Sequence, residues 1–131
     1  MNLIDTDILI DYLHKIEIAE KFLESIRISK DGLNISIITR MELIQGCRNK
    51  EEQFKIENKI STYQILWPSS ETCDKALKLF TQYNLTYKIG IIDALIGQLA
   101  VDMNVPLYTF NEKHYLMIPK IRMIQPYKKP S

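Results

Sequence analysis

The sequence predicts an α/β fold, a central parallel sheet sandwiched between helices, and three observations predict it. Short apolar or β-branched runs alternate with longer segments whose apolar residues recur at helical spacing, the order that joins parallel strands through helical crossovers. The helical segments end at recognisable stop signals, such as Asn104 with Pro106 two residues later. The chain has 131 residues, of which 46% are hydrophobic, with no repeat, low-complexity tract or Pro/Gly/Ser linker, so one domain over 1–131 with one substantial core is expected.

In chain order, Leu3-Ile4 opens a strand that meets Asp5-Thr6-Asp7, and residues 8–13 read as helix. Residues 19–27 carry Ala19, Phe22, Leu23 and Ile26 at helical spacing. Residues 33–38 are short and β-branched, hence a strand, and 39–46 turn helical directly after it. A charged amphipathic helix over 51–63 precedes the strand Ile65-Leu66-Trp67, which Pro68 ends. Helices follow over 70–83 and 89–103, with Asn104 as a left-handed cap, then strands over 107–109 and 121–124. Gly97 lies inside the last helix, where it costs about 1 kcal/mol relative to Ala; loose packing around it is the simple expectation, and room left near a pocket is the other.

Composition narrows the function. Seventeen Lys and Arg against 16 Asp and Glu leave a formal charge of +1, too little for a protein that grips nucleic acid by bulk charge. Any such binding has to come from basic residues placed around a focused site. Cys47 and Cys73 stand apart, without metal-ligand spacing, and read as free thiols in a reducing compartment. No apolar run reaches the roughly 18 residues that span a bilayer, and the N-terminus lacks a basic leader, so a cytoplasmic protein is expected.

Acidic residues stand where an α/β sheet binds its ligands, beyond the carboxyl ends of the strands. Asp5 follows the first strand directly, Glu42 lies one helical turn past the second, and Asn111 lies just past Leu107-Tyr108-Thr109. Asp93 interrupts the apolar run Ile89-Gly90-Ile91-Ile92-Asp93-Ala94-Leu95-Ile96, where a carboxylate is costly unless paired, hydrogen-bonded or bound to a cation. Carboxylates with nothing basic among them suit Mg²⁺ or Mn²⁺, which prefer oxygen ligands. Each has a local alternative. Asp5 and Asp7 fit a turn, Thr39-Arg40-Met41-Glu42 fits a capping box, Asp93 fits a helix N-cap, and Asn111 fits an Asx turn.

Together these segments resemble the PIN-domain ribonucleases that form the toxin component of VapBC toxin–antitoxin pairs. Leu3-Ile4-Asp5-Thr6-Asp7-Ile8-Leu9-Ile10-Asp11 resembles the family's opening strand with its first acid. Ile35-Ser36-Ile37-Ile38-Thr39-Arg40-Met41-Glu42-Leu43 resembles the second motif, and Ile92-Asp93-Ala94-Leu95-Ile96 the third. The segment from Pro106 to Tyr115, followed by Ile118-Pro119, resembles the closing one. The match spans nearly the whole chain in order and spacing.

The resemblance implies a PIN-like domain with Asp5, Glu42 and Asp93 as metal-binding catalytic acids and Thr6 as a supporting hydroxyl. It implies one or two Mg²⁺ or Mn²⁺ ions, with Asn111 as a weaker fourth ligand because Asn stands where Asp is common. The chemistry implied is hydrolysis of an RNA phosphodiester, with Arg40, Lys113 and His114 as candidate phosphate contacts. It further implies a homodimer silenced by a small antitoxin and reaching DNA only through it; the two amphipathic helices add Phe22, Leu23, Phe54 and Ile56, which either face the core or form a clamp for a partner helix. Two alternatives remain. Asp5-Thr6-Asp7 also fits the nucleophile motif of a HAD-type phosphatase, with Asp5 as phosphoryl acceptor, and an inactive PIN-like interaction module would keep the same surface.

Overall fold

The computed structural model describes residues 1–129. Strand β1 (Leu3–Ile4) is followed by helices α1 (Thr6–Leu13) and α2 (Glu17–Arg27), then by β2 (Asn34–Ser36), α3 (Ile37–Gln45) and α4 (Lys50–Ile60). Next come β3 (Gln64–Leu66), α5 (Ser70–Tyr87), α6 (Ile91–Asp102), β4 (Leu107–Tyr108), a 3₁₀ turn at Glu112–His114 and β5 (Met123–Ile124). Each strand and helix read from the sequence is present, and the differences lie at the ends.

Capping accounts for several of those ends. The Asp5 carboxylate accepts from the Thr6 amide at 2.8 Å and starts α1 at Thr6, two residues earlier than expected. The Ser36 hydroxyl accepts from the Ile38 amide at 3.0 Å, so the β-branched pair Ile37-Ile38 opens α3 instead of extending β2. Helix α5 continues to Tyr87 and stops where Lys88 adopts φ 52°. Helix α6 ends as expected around Asn104 (φ 55°). The Asn104 amide bonds to the Val101 carbonyl and the Val105 amide to the Ala100 carbonyl, which satisfies two of the last free carbonyls.

All strand pairs are parallel. Leu3 stands opposite Leu107 and Leu107 opposite Met123, giving the order β1-β4-β5, while Asn34 opposite Gln64 joins β2 to β3. The Asn2 side chain fastens the two ladders together. Its Oδ1 accepts from the Asn34 amide at 3.3 Å and its Nδ2 donates to the Gly32 carbonyl at 3.0 Å. Neighbouring residues of a strand face opposite sides, so Leu3, Leu66 and Leu107 join a core with Ile96 and Leu99, under α5 and α6. Ile4 and Ile35 join Ile8, Leu9, Leu43 and Ile60, under α1 to α4. This is the expected helix-covered parallel sheet.

A polar knot secures α5 to α6. The Asp102 carboxylate accepts from the Thr72 hydroxyl at 2.6 Å, Gln98 Nε2 at 2.9 Å and Lys75 Nζ at 3.3 Å. Burial works to raise this carboxyl, but the hydrogen bonds from Thr72, Gln98 and Lys75 outweigh it and hold the group below its usual range. A group so held contributes stability that is complete above the ordinary carboxylate range and is lost as pH falls through the lowered value. Asp102→Ala is expected to cost about 1–2 kcal/mol at neutral pH. Urea titrations of both proteins check this, and the gap between them should close in strong acid.

Gly97 sits where α6 comes closest to the segment after β4. A Cβ there would lie 2.2 Å from Ile118 Cδ1 and 3.0 Å from the Tyr115 ring. Both neighbours are buried, so the packing is tight, against the expectation of looseness. Gly97→Ala therefore sets a helix-propensity gain of about 1 kcal/mol against overpacking of about 1–3 kcal/mol. We expect net destabilisation, read as a lower urea midpoint; a raised midpoint would mean that Ile118 moves aside freely.

Candidate active site

The carboxyl ends of β1 and β4 lie side by side, since the Asp5 amide donates to the Tyr108 carbonyl at 3.0 Å. This places Asp5 beside Thr109. Asp5 Oδ2 accepts from the Thr109 hydroxyl at 2.7 Å and from the Tyr115 hydroxyl at 3.0 Å, while Oδ1 holds the Thr6 amide. Asp5 is thus the N-cap of α1 rather than a turn residue, and the centre of a buried polar cluster.

Glu42 approaches from α3. Its Oε1 accepts from the Thr6 hydroxyl at 2.6 Å, and Thr39 Oγ1 lies 3.0 Å from that same hydroxyl. The capping-box alternative falls, because α3 begins at Ile37 and Thr39 is already inside it. Asp93 is the third residue of α6, and Gly90 occupies the N-cap that the alternative reading gave to Asp93. A Cβ on Gly90 would lie 3.2 Å from Asp93 Oδ2, so the glycine leaves the carboxylate its place. On the other side, His114 Nδ1 stands 3.2 Å from Asp93 Oδ2.

These acids act on one another. Burial raises the Glu42 carboxyl above its ordinary value; the Thr6 hydrogen bond opposes this, and the charges of Asp5 and Asp93 add to it. Burial likewise raises Asp93, with His114 pulling down, Asp5 pushing up, and hydrogen bonds from Tyr115 and His114 opposing. Asp7, not among the metal-binding acids expected from the sequence, belongs to the same cluster. Burial first and Asp5 second push it up to about 6, against hydrogen bonds that include the Phe110 amide at 2.9 Å. Its Oδ1 is buried without a partner.

An all-oxygen donor set, mutual repulsion and an orphaned carboxylate oxygen together fit a hard divalent cation. Among the described residues, no group of three Asp, Glu, His or Cys side chains is already drawn in to ligand spacing. Hydroxyl groups donate to the acids instead, Thr6 to Glu42 and Thr109 and Tyr115 to Asp5.

The remaining expected residues lie around this cluster. Asn111 is exposed, and its amide donates to Thr109 Oγ1 at 2.9 Å. Its side chain caps nothing, so the Asx-turn alternative is not realised. Arg40 is half-buried on α3 and Lys113 is exposed on the 3₁₀ turn. Sequence reasoning missed Thr109 and Tyr115. The signal for Thr109 was its place at the end of β4, opposite the end of β1; a lone tyrosine after His114 gives no signal of its own.

The PIN domain family model matches residues 3–117. The chain is 29% identical over 117 residues to Ribonuclease VapC1 of Methanocaldococcus jannaschii, an alignment covering 86% of this chain and 77% of that protein. Its fold is similar to that of a toxin–antitoxin complex from Klebsiella pneumoniae, with TM-score 0.77 and 28% identity over 98% of this chain and 100% of that one. VapBC-1 from nontypeable Haemophilus influenzae gives TM-score 0.74 and 30% identity, covering 94% and 96% of the respective chains. Nothing in these relationships supports a HAD-type phosphatase, and Asp5, tied by three donors, is poorly placed as a free nucleophile. The order of the motifs, the parallel sheet and these relatives agree with the resemblance read from the sequence: the chain belongs to the PIN-domain family, among relatives of the VapC ribonuclease type.

Proposed function

We propose that this protein is a divalent-metal-dependent endoribonuclease, one domain over residues 1–131, acting as the toxin of a type II toxin–antitoxin pair in the cytoplasm. One observation supports the reading: residues from remote segments converge beyond the strand ends, where Thr6 bonds to both Asp5 and Glu42 and the Tyr115 hydroxyl reaches Asp5 beside Asp93. Asp5, Glu42 and Asp93 would hold Mg²⁺ or Mn²⁺, with Asn111 offering a weaker carbonyl oxygen for a second ion. When bound, the ion supplies a Lewis acid for the phosphodiester and makes water acidic enough to attack at neutral pH.

The chain's own groups do the rest. Glu42, whose carboxyl is pushed up by burial and by the charges of Asp5 and Asp93, would have that repulsion relieved by a bound ion. Thr6 orients it from the turn after β1. Exposed His114 and Lys113, with half-buried Arg40, supply phosphate contacts around the acids. With a net charge of only +1, RNA affinity depends on such local contacts.

Two surfaces support the partners. A groove of about 700 Å³ between α1, α3 and α4 is lined by Ile10, Leu13 and Leu43, with Arg48 and Lys59 along it and Glu42 at its edge. An amphipathic antitoxin helix seated there can bring an Arg or Lys to the acids. The clamp read from the sequence is met only in part: Ile56 lines this groove, Leu23 is a core residue, Phe22 packs at a tilt against Tyr108 and Tyr127, and Phe54 is exposed at 66%. A second apolar hollow, between α5 and α6, presents Leu77, Phe80, Ile91 and Leu95 and suits a homodimer contact. DNA is reached only through the antitoxin. Among the described residues no helix is long and apolar enough to cross a membrane.

Asp93→Asn should abolish RNA cleavage while unfolding no earlier than the wild type in chelator, since it removes one of the repelling charges. Cleavage by this variant at the wild-type rate, with contaminating nuclease excluded, would reject the site. No cleavage by the wild-type protein in Mg²⁺ or Mn²⁺ would favour the inactive module instead. EDTA should stop the wild-type reaction and added Mn²⁺ restore it. Asn111→Asp should tighten Mn²⁺ binding in a calorimetric titration by adding charge at close range; unchanged affinity would place Asn111 outside the metal site.

A further inference from the structure

The geometry points to Tyr115 as a positioning residue: its hydroxyl, with that of Thr109, fills Oδ2 of Asp5 and thereby leaves Oδ1 as the oxygen that faces a divalent ion. The inference rests on the metal-dependent reading above and adds to it a residue that the acidic motifs do not contain.

A carboxylate has about four lone-pair sites, two on each oxygen. On Asp5 Oδ2 both are taken, by Thr109 Oγ1 at 2.7 Å and Tyr115 OH at 3.0 Å. On Oδ1 one is taken, by the Thr6 amide at 2.8 Å, which leaves one acceptor position on that oxygen. The two donors on Oδ2 come from different directions. Thr109 extends from the end of β4 and is itself fixed by the Asn111 amide. The Tyr115 ring belongs to the core under α5 and α6 and lies against the backbone of α6, where Gly97 has no side chain. Held from both sides, the carboxylate is fixed in orientation, with its open acceptor position on the oxygen away from Thr109 and Tyr115.

The hydroxyl is also unneeded for packing. Tyr115 is 0% exposed, and a phenylalanine ring would fill the same volume without bringing a polar group that must find a partner. Its hydroxyl lies 3.0 Å from Asp5 Oδ2, and Asp93 is a second carboxylate within its reach. The hydroxyl therefore touches the acids from beneath, out of reach of solvent and substrate.

The test is Tyr115→Phe in the full chain, with Mn²⁺ affinity measured by calorimetry alongside steady-state RNA cleavage. Partners that orient metal ligands typically contribute 10–100-fold to metal affinity. The variant is expected to keep its fold and its KM for RNA, to bind Mn²⁺ at least about tenfold more weakly, and to lose kcat at limiting Mn²⁺. A residue with a purely packing role would shift thermal stability in chelator and leave Mn²⁺ affinity alone, so wild-type affinity in Tyr115→Phe overturns the assignment. Failure of the wild-type protein to bind Mn²⁺ overturns the metal reading, and this assignment with it. Should Tyr115→Phe not fold, Thr109→Val and Thr109→Ser decide. Loss of affinity in the first and retention in the second support Oδ2 as the pinned oxygen, and equal affinity in both refutes it.

Discussion

Carboxylates gathered in a partly buried space repel one another, and most of the polar structure at the carboxyl end of this sheet answers that repulsion. Asp5 is buried within electrostatic reach of Glu42, Asp93 and Asp7, and three of the four are pushed toward their protonated forms, by burial first and by neighbouring charge second. Without a cation, the fold relies on hydroxyls and amides. Thr6 donates to Glu42, Thr109 and Tyr115 donate to Asp5, and the Phe110 amide donates to Asp7. A donor to a charged acceptor is worth more than a neutral hydrogen bond, but none of these groups brings a full positive charge. Among the described residues, His114 beside Asp93 is the ionisable nitrogen within bonding distance of these acids, and it is exposed.

The same bonds hold the fold together, so site and scaffold are not separable here. Asp5 caps α1 through the Thr6 amide, and its carboxylate joins segments more than a hundred positions apart in the chain. Thr6 ties the start of α1 to α3 through Glu42. Strands of two or three residues contribute few ladder hydrogen bonds, which puts more weight on side-chain ties such as Asn2 to Asn34 and Asp5 to Thr109. Neutralising an acid in such a cluster has two opposed effects, relief of repulsion and loss of an acceptor. The balance differs by position. Asp93 is the better site to neutralise without structural loss, because Asp5 alone accepts three donors.

The fold was legible because burial on both faces writes itself into composition: Leu3-Ile4 and Ile35 cannot be other than core, and Asn104 marks a left-handed stop wherever a helix ends. Asp93 was legible for the converse reason, a charge where the pattern requires an apolar residue, and Glu42 by its place one helical turn past the second strand. What stayed hidden depends on distance across the fold. Asp7 looks like a turn residue until Phe110 is brought to it. Tyr115 looks like any aromatic residue until its hydroxyl is found against Asp5. Gly97 looks permissive until Ile118 is found where its side chain would be. In each case the deciding contact joins residues far apart in sequence, and neither partner carries a local mark of the other.

On the proposed reading, catalysis and inhibition share Glu42. It faces the acids through Thr6 and also borders the groove between α1, α3 and α4. A basic side chain arriving along that groove meets a carboxylate whose ionised form is disfavoured by its neighbours, so pairing relieves a repulsion already present. A divalent ion would relieve the same repulsion from the other side. The two cations then compete for one electrostatic deficit without needing to touch the same atoms, and the competition weakens as salt screens it only to the extent that the groove admits solvent. Silencing by a partner requires no rearrangement of the sheet under this account, because the acids are already crowded and either cation satisfies them.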